Sequence, residues 1–169
     1  MVTTEAEIRP LAPQEAEALA DLARAIWLAH YPAIISLEQI EYMLAQRYRP
    51  GVIRSELAGG EVFWDTLWVD GAMAGFSSYF RAGTTGEMKL DKLYVRPDLQ
   101  RRGHGGRLIA RAARVAREGG CTRLVLAVNK RNAGAIAAYR KHGFAVVDSV
   151  VKDIGGGFAM DDYIMALDL

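Results

Sequence analysis

The order of hydrophobic patterns along the chain predicts a mixed α/β domain with helices on both faces of a central sheet. Three observations carry that expectation. Apolar runs at 62–69 and 72–80 flank Asp70-Gly71, a short-range hairpin signal, so the middle of the chain is strand-rich. From residue 88 onward, strand-like and helix-like stretches alternate. Residues 103–118 place Leu108, Ala112 and Val115 on one face and Arg107, Arg111, Arg114 and Arg117 on the other, the pattern of an amphipathic helix.

The remaining elements follow from local signals. A short first strand is expected near Ile8. Residues 13–30 carry Ala16, Leu19, Ala20, Ala23, Ile26 and Trp27 at helical spacing. A second helix is expected over 36–46, with Ser36 and Gln39 as a capping box and Ile40, Met43 and Leu44 as its apolar stripe. The strand at 88–95 stops before Pro97, which cannot continue a ladder. Gly119-Gly120 ends the arginine-faced helix, and a strand at 123–128 follows. The next helix, 133–142, has Asn132 as N-cap and Gly143 as its stop, with Lys141 and His142 in the last turn where cations suit the helix dipole. Strands at 144–151 and 163–167 close the chain, with Gly155-Gly156-Gly157 as a loop between them.

Composition narrows the function classes. At 169 residues, 1–169 reads as one domain able to bury a core. Lys+Arg 21 against Asp+Glu 20 argues against a nucleic-acid binder, which would carry a basic excess. The arginine face of 103–118 therefore reads as a solvated surface. Cys121 is the only cysteine, which suits a reducing compartment, and it reads as a small buried residue rather than a nucleophile. Residues 1–10 carry Glu5, Glu7 and Arg9 without an apolar core, so no signal peptide is expected. No uncharged apolar run approaches membrane-spanning length. The expected location is cytoplasmic, with neither membrane nor nucleic acid as partner.

The informative stretch is Leu93-Tyr94-Val95-Arg96-Pro97-Asp98-Leu99-Gln100-Arg101-Arg102-Gly103-His104-Gly105-Gly106. A strand ends, a loop turns, and a helix begins at a glycine cluster. Glycines let backbone N–H groups approach a ligand, and a helix N-terminus offers unpaired donors and partial positive charge. Arg101 and Arg102 add cations that can fork onto phosphate oxygens. The combination is a pyrophosphate cradle. A P-loop would need Lys-Ser or Lys-Thr after the glycines. A dinucleotide fingerprint would need a glycine where Leu108 stands and no intervening loop at 96–102.

Gln100-Arg101-Arg102-Gly103-His104-Gly105 matches the Q/R-x-x-G-x-G/A motif of the GNAT superfamily of N-acetyltransferases, and Leu93-Tyr94-Val95 resembles its cofactor-binding strand. Asn129 to Phe144 resembles its second motif, N-x-x-N-x-x-A-x-x-x-Y-x-x-x-G-F. The resemblance implies a mixed, mostly antiparallel central sheet with helices on both faces. Its fourth and fifth strands, here 88–95 and 123–128, would splay apart, helped by a bulge in the fourth. It implies acetyl-CoA as co-substrate and no metal, with the pantetheine arm hydrogen-bonded to the backbone at Leu93 and Val95 as an added strand would be. Gln100 to Gly106 would hold the pyrophosphate, and Asn129, Asn132, Ala135 and Tyr139 would face the cofactor. Tyr139 would protonate the departing thiolate, since a phenol with pKa of about 10 stays protonated at neutral pH. The amine attacks directly in a ternary complex, and Cys121 is not needed.

The proton on the acceptor is a separate matter. Deprotonating a primary ammonium of pKa about 10.4 at pH 7 costs about 4 to 5 kcal/mol. Some members carry a glutamate on the fourth strand for this; Lys89 stands at the aligned position. Glu87, Asp91 and a water chain remain as alternatives. For the acceptor, Trp27 and Tyr31 are candidate pocket residues, Trp27 also reading as core. Residues 27–44 and 153–165 look similar to a bacterial branch that includes polyamine N-acetyltransferases. Glu38, Glu41, Asp161 and Asp162 are the carboxylates a polyamine would want, or solvated surface charges. A peptide or protein N-terminus, an antibiotic or an amino acid remains open as acceptor, as does a non-catalytic acetyl-CoA sensor. Dimers are common in the superfamily, and the sequence leaves open whether this chain forms a homodimer.

Overall fold

The computed structural model describes residues 4–83 and 86–169. Residues 1–3, the start of the stretch read above for a leader, and residues 84–85 lie outside them. The elements run β1 (Ala6–Pro10), α1 (Ala16–His30), α2 (Leu37–Arg47), α3 (Pro50–Gly59), β2 (Val62–Val69), β3 (Ala72–Arg81), β4 (Glu87–Val95), α4 (His104–Glu118), β5 (Arg123–Asn129), α5 (Ala133–Lys141), β6 (Ala145–Gly155) and β7 (Phe158–Asp168). The strands form one sheet in the order β1-β2-β3-β4-β5-β7-β6. Every neighbouring pair is antiparallel except β4 with β5.

Helices α1, α2 and α3 cover one face, burying Leu19, Trp27, Ile40 and Ile53 against Trp64 and Phe76. On the other face Ile109, Ala112 and Ala116 of α4 and Ile136 of α5 pack with Met88, Leu124 and Met165. Cys121 is buried in this second cluster. Each large side chain fully buried this way stabilises the fold by roughly 1.5–3 kcal/mol before entropy is counted. Residues 13–15 form a 3-10 turn ahead of α1.

Helix α3 was not expected. Pro50 opens it and Gly60 follows it in the left-handed region, with Ile53 and Leu57 one turn apart facing the core. Read as punctuation, Pro50 and Gly59-Gly60 resemble loop residues; proline at the first helical position and glycine just past the last mark helix ends equally well. The last two strands are also longer than expected. They pair from Ala145↔Ala166 to Gly155↔Phe158, so the glycine run is a tight turn, with positive φ at Gly155, Gly156 and Gly157. Tyr42 of α2 packs there: its hydroxyl donates to the Ile154 carbonyl at 3.0 Å, and a Cβ on Gly156 would lie 2.7 Å from its ring. The glycines therefore let the hairpin lie against α2.

Two caps differ from expectation. Ser36 Oγ accepts from the Gln39 N–H at 3.1 Å, but the Gln39 side chain donates to the Ala159 carbonyl at 3.3 Å instead of closing the box. Asn132 occupies the N-cap position of α5 without a side-chain cap bond. The arginine face of α4 is also only partly solvated. Arg111 Nε lies 2.9 Å from Asp65 Oδ2, and Tyr79 donates to the same oxygen at 2.6 Å. A carboxylate buried as deeply as Asp65 needs such partners, and the pair pins α4 to the sheet.

Candidate active site

The feature that positions the site is an incomplete strand pair. β4 and β5 are in register only at Glu87↔Arg123, Met88↔Leu124 and Lys89↔Val125. Beyond that the strands part, and each keeps its outer neighbour: β4 stays paired to β3 through Val95, and β5 to β7 through Asn129. A bulge in β4 accompanies the splay. Ser78 pairs with Lys92 and Tyr79 with Leu90, so Asp91 is the extra residue. The bulge sends Asp91 and Lys92 to the same face, where Arg47 and Tyr48 meet them. Gly75, opposite Val95, holds the other side: a Cβ there would lie 2.6 Å from the Tyr94 carbonyl oxygen. Its signal was in the sequence, a glycine inside a strand pattern marking close backbone approach, but it was not singled out.

Leu93, Tyr94 and Val95 line this opening with their backbone, while their side chains are committed elsewhere. Leu93 packs toward α4, Tyr94 toward α1, and Val95 is buried. Gln100 does not point outward: its Nε2 donates to the Val95 carbonyl at 3.1 Å, tying the loop to the strand end.

Gly103 takes the left-handed region, φ +85°, as N-cap of α4. The first turn of the helix then presents N–H groups that have no intrahelical partner. Arg101 and Arg102 are exposed beside it and form no ion pair among the described residues. Apart from the adjoining residues and the helix's own backbone, nothing among the described residues lies within 4 Å of where a Cβ on Gly103 or Gly105 would sit, so this rim is open to a ligand. Gly106 has a different reason: a Cβ would lie 2.7 Å from the His142 ring, so it serves the packing of α4 on α5. His104 is buried, with Nδ1 lacking a hydrogen-bond partner. An open glycine rim, free helix-terminal donors and two unpaired guanidinium groups fit a pyrophosphate-bearing ligand such as CoA.

On α5, Tyr139 packs edge-on against Phe144, with centroids 5.6 Å apart, and Ala135 lies in the same cluster. Burial pushes the Tyr139 phenol well above its ordinary value, and Tyr31 adds to the rise. It stays protonated across the neutral range. Asn129 Oδ1 accepts from the Arg131 N–H at 2.9 Å, and Asn132 Oδ1 lies 3.1 Å from His30 Nε2. Both side chains thus shape the chain itself: Asn132 ties the end of α1 to the start of α5. Arg131 reinforces that link through the Ile34 and Ala33 carbonyls at 2.7 and 3.3 Å.

The opposite side of the gap belongs to α1, α2 and β7. Tyr31 and Tyr94 share a hydrogen bond of 2.8 Å between their hydroxyls. Trp27, 1% exposed, stacks behind Tyr31 at 4.4 Å and also meets Tyr48 and Tyr94. It braces the wall and does not line an open pocket. A cavity of about 510 Å³ opens beside the 32–36 turn, lined among others by Gln39, Arg131 and Asp161.

The acidic residues sort themselves by partner. Glu41 pairs with Arg24 on the surface at 2.5 Å, Glu38 is exposed, and Asp161 pairs with Lys130 at 2.7 Å. Glu87 lies at the closed end of the β4–β5 pair, 3.5 Å from Arg123. Asp91 lies 3.0 Å from Arg47 and 2.7 Å from Lys92, which is itself buried and lies over Trp64. Burial opposes its charge, yet Arg47 and Lys92 outweigh that and hold the carboxyl well below the ordinary range. Asp162 is different. It is 8% exposed and its Oδ1 is buried without a hydrogen-bond partner.

Comparison with known proteins agrees with this geometry. A family model described as "Acetyltransferase (GNAT) family" matches residues 17–144. A spermidine N(1)-acetyltransferase of Thermoplasma acidophilum is 26% identical over 151 residues, covering 87% of this chain and 92% of the relative. The solved PaiA N-acetyltransferase of Thermoplasma acidophilum, in complex with coenzyme A, superposes with a TM-score of 0.83 at 24% identity, covering 98% of this chain and 99% of that one. YncA of Salmonella typhimurium, solved with acetyl-CoA, superposes with a TM-score of 0.67 at 20% identity, covering 97% and 94%. The splayed seven-stranded sheet and the matched family model together establish that this chain belongs to the GNAT acetyltransferase family.

Proposed function

We propose that the protein transfers the acetyl group of acetyl-CoA to a primary amine of a small molecule, by direct attack in a ternary complex, and that the acceptor is a polyamine. The observation that carries the first half is the splay of β4 and β5, which leaves strand backbone unpaired beside the open glycine rim of α4. Acetyl-CoA, when bound, supplies the activated thioester. The chain's own groups do the rest. Backbone at Leu93 and Val95 accepts the extended arm as a neighbouring strand would. Gly103, Gly105, Arg101 and Arg102 hold the phosphates. Backbone donors near Val95 polarise the thioester carbonyl. Tyr139 Oη gives its proton to the departing sulfur; the hydroxyl has no hydrogen-bond partner among the described residues and is therefore free to donate.

Support for a polyamine comes from the 26% identical spermidine acetyltransferase, from Asp161 in the lining of the 510 Å³ cavity and from the buried carboxylate of Asp162 next to it on β7. The test is acetyl-CoA-dependent thiol release with spermidine, spermine, N-terminal peptides and aminoglycosides. Release with the polyamines ahead of the rest is expected. Activity confined to peptides would overturn the acceptor class, and tight acetyl-CoA binding without release on any amine would overturn the transferase reading in favour of a sensor.

A further inference from the structure

Amine acetylation at neutral pH needs a proton acceptor, and the described residues offer few. Where the family resemblance leads one to look for a glutamate on the fourth strand, this chain has Lys89, whose ammonium lies 3.9 Å from Asp91. Asp91 itself is surrounded by Arg47, Lys92 and Lys89, and its charge is too well stabilised to take a proton readily. Glu87 lies where the strands are still closed.

Asp162 has the opposite situation. It lies on β7 opposite Asn129, at the end of β5 that has left β4. Its side chain falls on the same face as Met160, two residues away, which packs with the α1–α2 cluster. Tyr139 belongs to the cluster on the other face. The gap is thus flanked by a phenol on one side of the sheet and a buried, unpartnered carboxylate oxygen on the other. A buried carboxylate lacking a partner is costly to keep, so its persistence asks for a ligand that satisfies it.

We propose, resting on the acetyl-transfer reading above, that Asp162 is the catalytic base, its carboxylate taking the proton of the incoming ammonium. An N–H bond of the ammonium breaks and an O–H bond forms on Asp162. The freed nitrogen lone pair forms the bond to the thioester carbon, the nitrogen of the tetrahedral adduct loses its second proton to solvent, the C–S bond breaks to leave a neutral amide, and the sulfur takes the Tyr139 proton. The proton on Asp162 then leaves to solvent, and Tyr139 is reprotonated from it.

The surroundings suit the task. Burial raises the Asp162 carboxyl above the ordinary carboxylate range and Asp161 beside it adds to the rise, while Lys89 of β4, Arg47 of α2 and Lys152 of β6 oppose it. Lys130 after β5 and the Tyr31 hydroxyl at the end of α1 also face it. A carboxylate raised toward neutrality is a better proton acceptor than one at its ordinary value.

The test is the pH profile of kcat/KM for wild type, Asp162→Asn and Asp162→Glu with the best acceptor of the amine panel, alongside acetyl-CoA binding. Wild type is expected to show an acidic limb set by a carboxyl group, above the ordinary carboxylate range. Asp162→Asn should lower kcat about 10²-fold at pH 7 with acetyl-CoA affinity unchanged, and the deficit should shrink as pH approaches the pKa of the amine. Asp162→Glu should retain the limb at reduced rate. A variant with raised KM, unchanged kcat and an unshifted profile would overturn the proposal, since Asp162 would then only anchor the ammonium. Should Asp162→Asn not fold, a wild-type profile without the carboxyl limb overturns it equally. A wild type inactive on every amine speaks against the transferase reading itself, which the acetyl-CoA binding measurement separates from a failure of Asp162 alone.

Discussion

Residues 93–106 bring one side of the β4–β5 gap together within a single strand–loop–helix passage, whereas the side-chain wall draws Tyr31, Arg47 and Asp162 from three separate elements to meet Asp91 of β4. The first side works mainly through backbone: unpaired strand edge, helix-terminal N–H groups and glycines that leave room. The second works through side chains that satisfy or frustrate one another, as the Tyr31–Tyr94 hydroxyl pair, the Arg47–Asp91–Lys92 cluster and the solitary Asp162 show. A backbone cradle tolerates sequence change wherever glycine and helix start are kept. A side-chain wall can be retuned residue by residue, which is where acceptor choice is expected to vary.

The comparison can be broken most sharply at the charge cluster. Asp91→Ala leaves Arg47 and Lys92 facing each other in a largely buried site and should cost about 3 kcal/mol, more than 100-fold in the folding constant, read by denaturant unfolding. The sign with pH follows from the depressed carboxyl: its contribution is complete above the ordinary value of about 3.9 and is lost as pH falls below it. The variant's stability should therefore fall less steeply than wild type between about pH 4 and pH 2. Tyr139→Phe should do the reverse, lowering kcat about 10²-fold in the thiol-release assay with little change in acetyl-CoA affinity or melting temperature.

Two glycines separate room for a ligand from room for the fold. Gly105→Ala should leave stability within about 0.5 kcal/mol and weaken acetyl-CoA roughly tenfold, because the new methyl meets only ligand space. Gly75→Ala should destabilise by about 1–3 kcal/mol through the clash with the Tyr94 carbonyl, read by thermal or chemical unfolding. Equal effects of both on stability would mean that the α4 rim is packed rather than open.

Much of the fold was legible because its signals are local. Asp70-Gly71 turns β2 into β3, the 3.6-residue stripe of α4 reads directly, and the Gln100 to Gly106 run marks the helix start. Residues 50–59 carry no expected element in the sequence reading yet fold as a helix between Pro50 and Gly60, and the three glycines expected as a loop form a tight turn. Within the site, the cradle is readable from its glycines, arginines and helix start, whereas Tyr139 is singled out only by the family resemblance. Trp27 reads from the sequence both as core and as a pocket candidate, and its burial among Tyr31, Tyr48 and Tyr94 favours the core reading, in which it braces the wall.

By itself, then, the sequence determined the element types, the alternation that yields a mixed sheet and the place of the glycine-led helix start, because each depends on neighbours within a turn or a strand. Only the tertiary structure decided which charges are quenched and which are left unpaired. Asp91 and Asp162 are both aspartates in strands, yet one meets Arg47 from α2 and the other meets no partner for its buried oxygen. Burial and the approach of groups far apart in the chain set that difference, since the stability of a charge depends on what surrounds it in space.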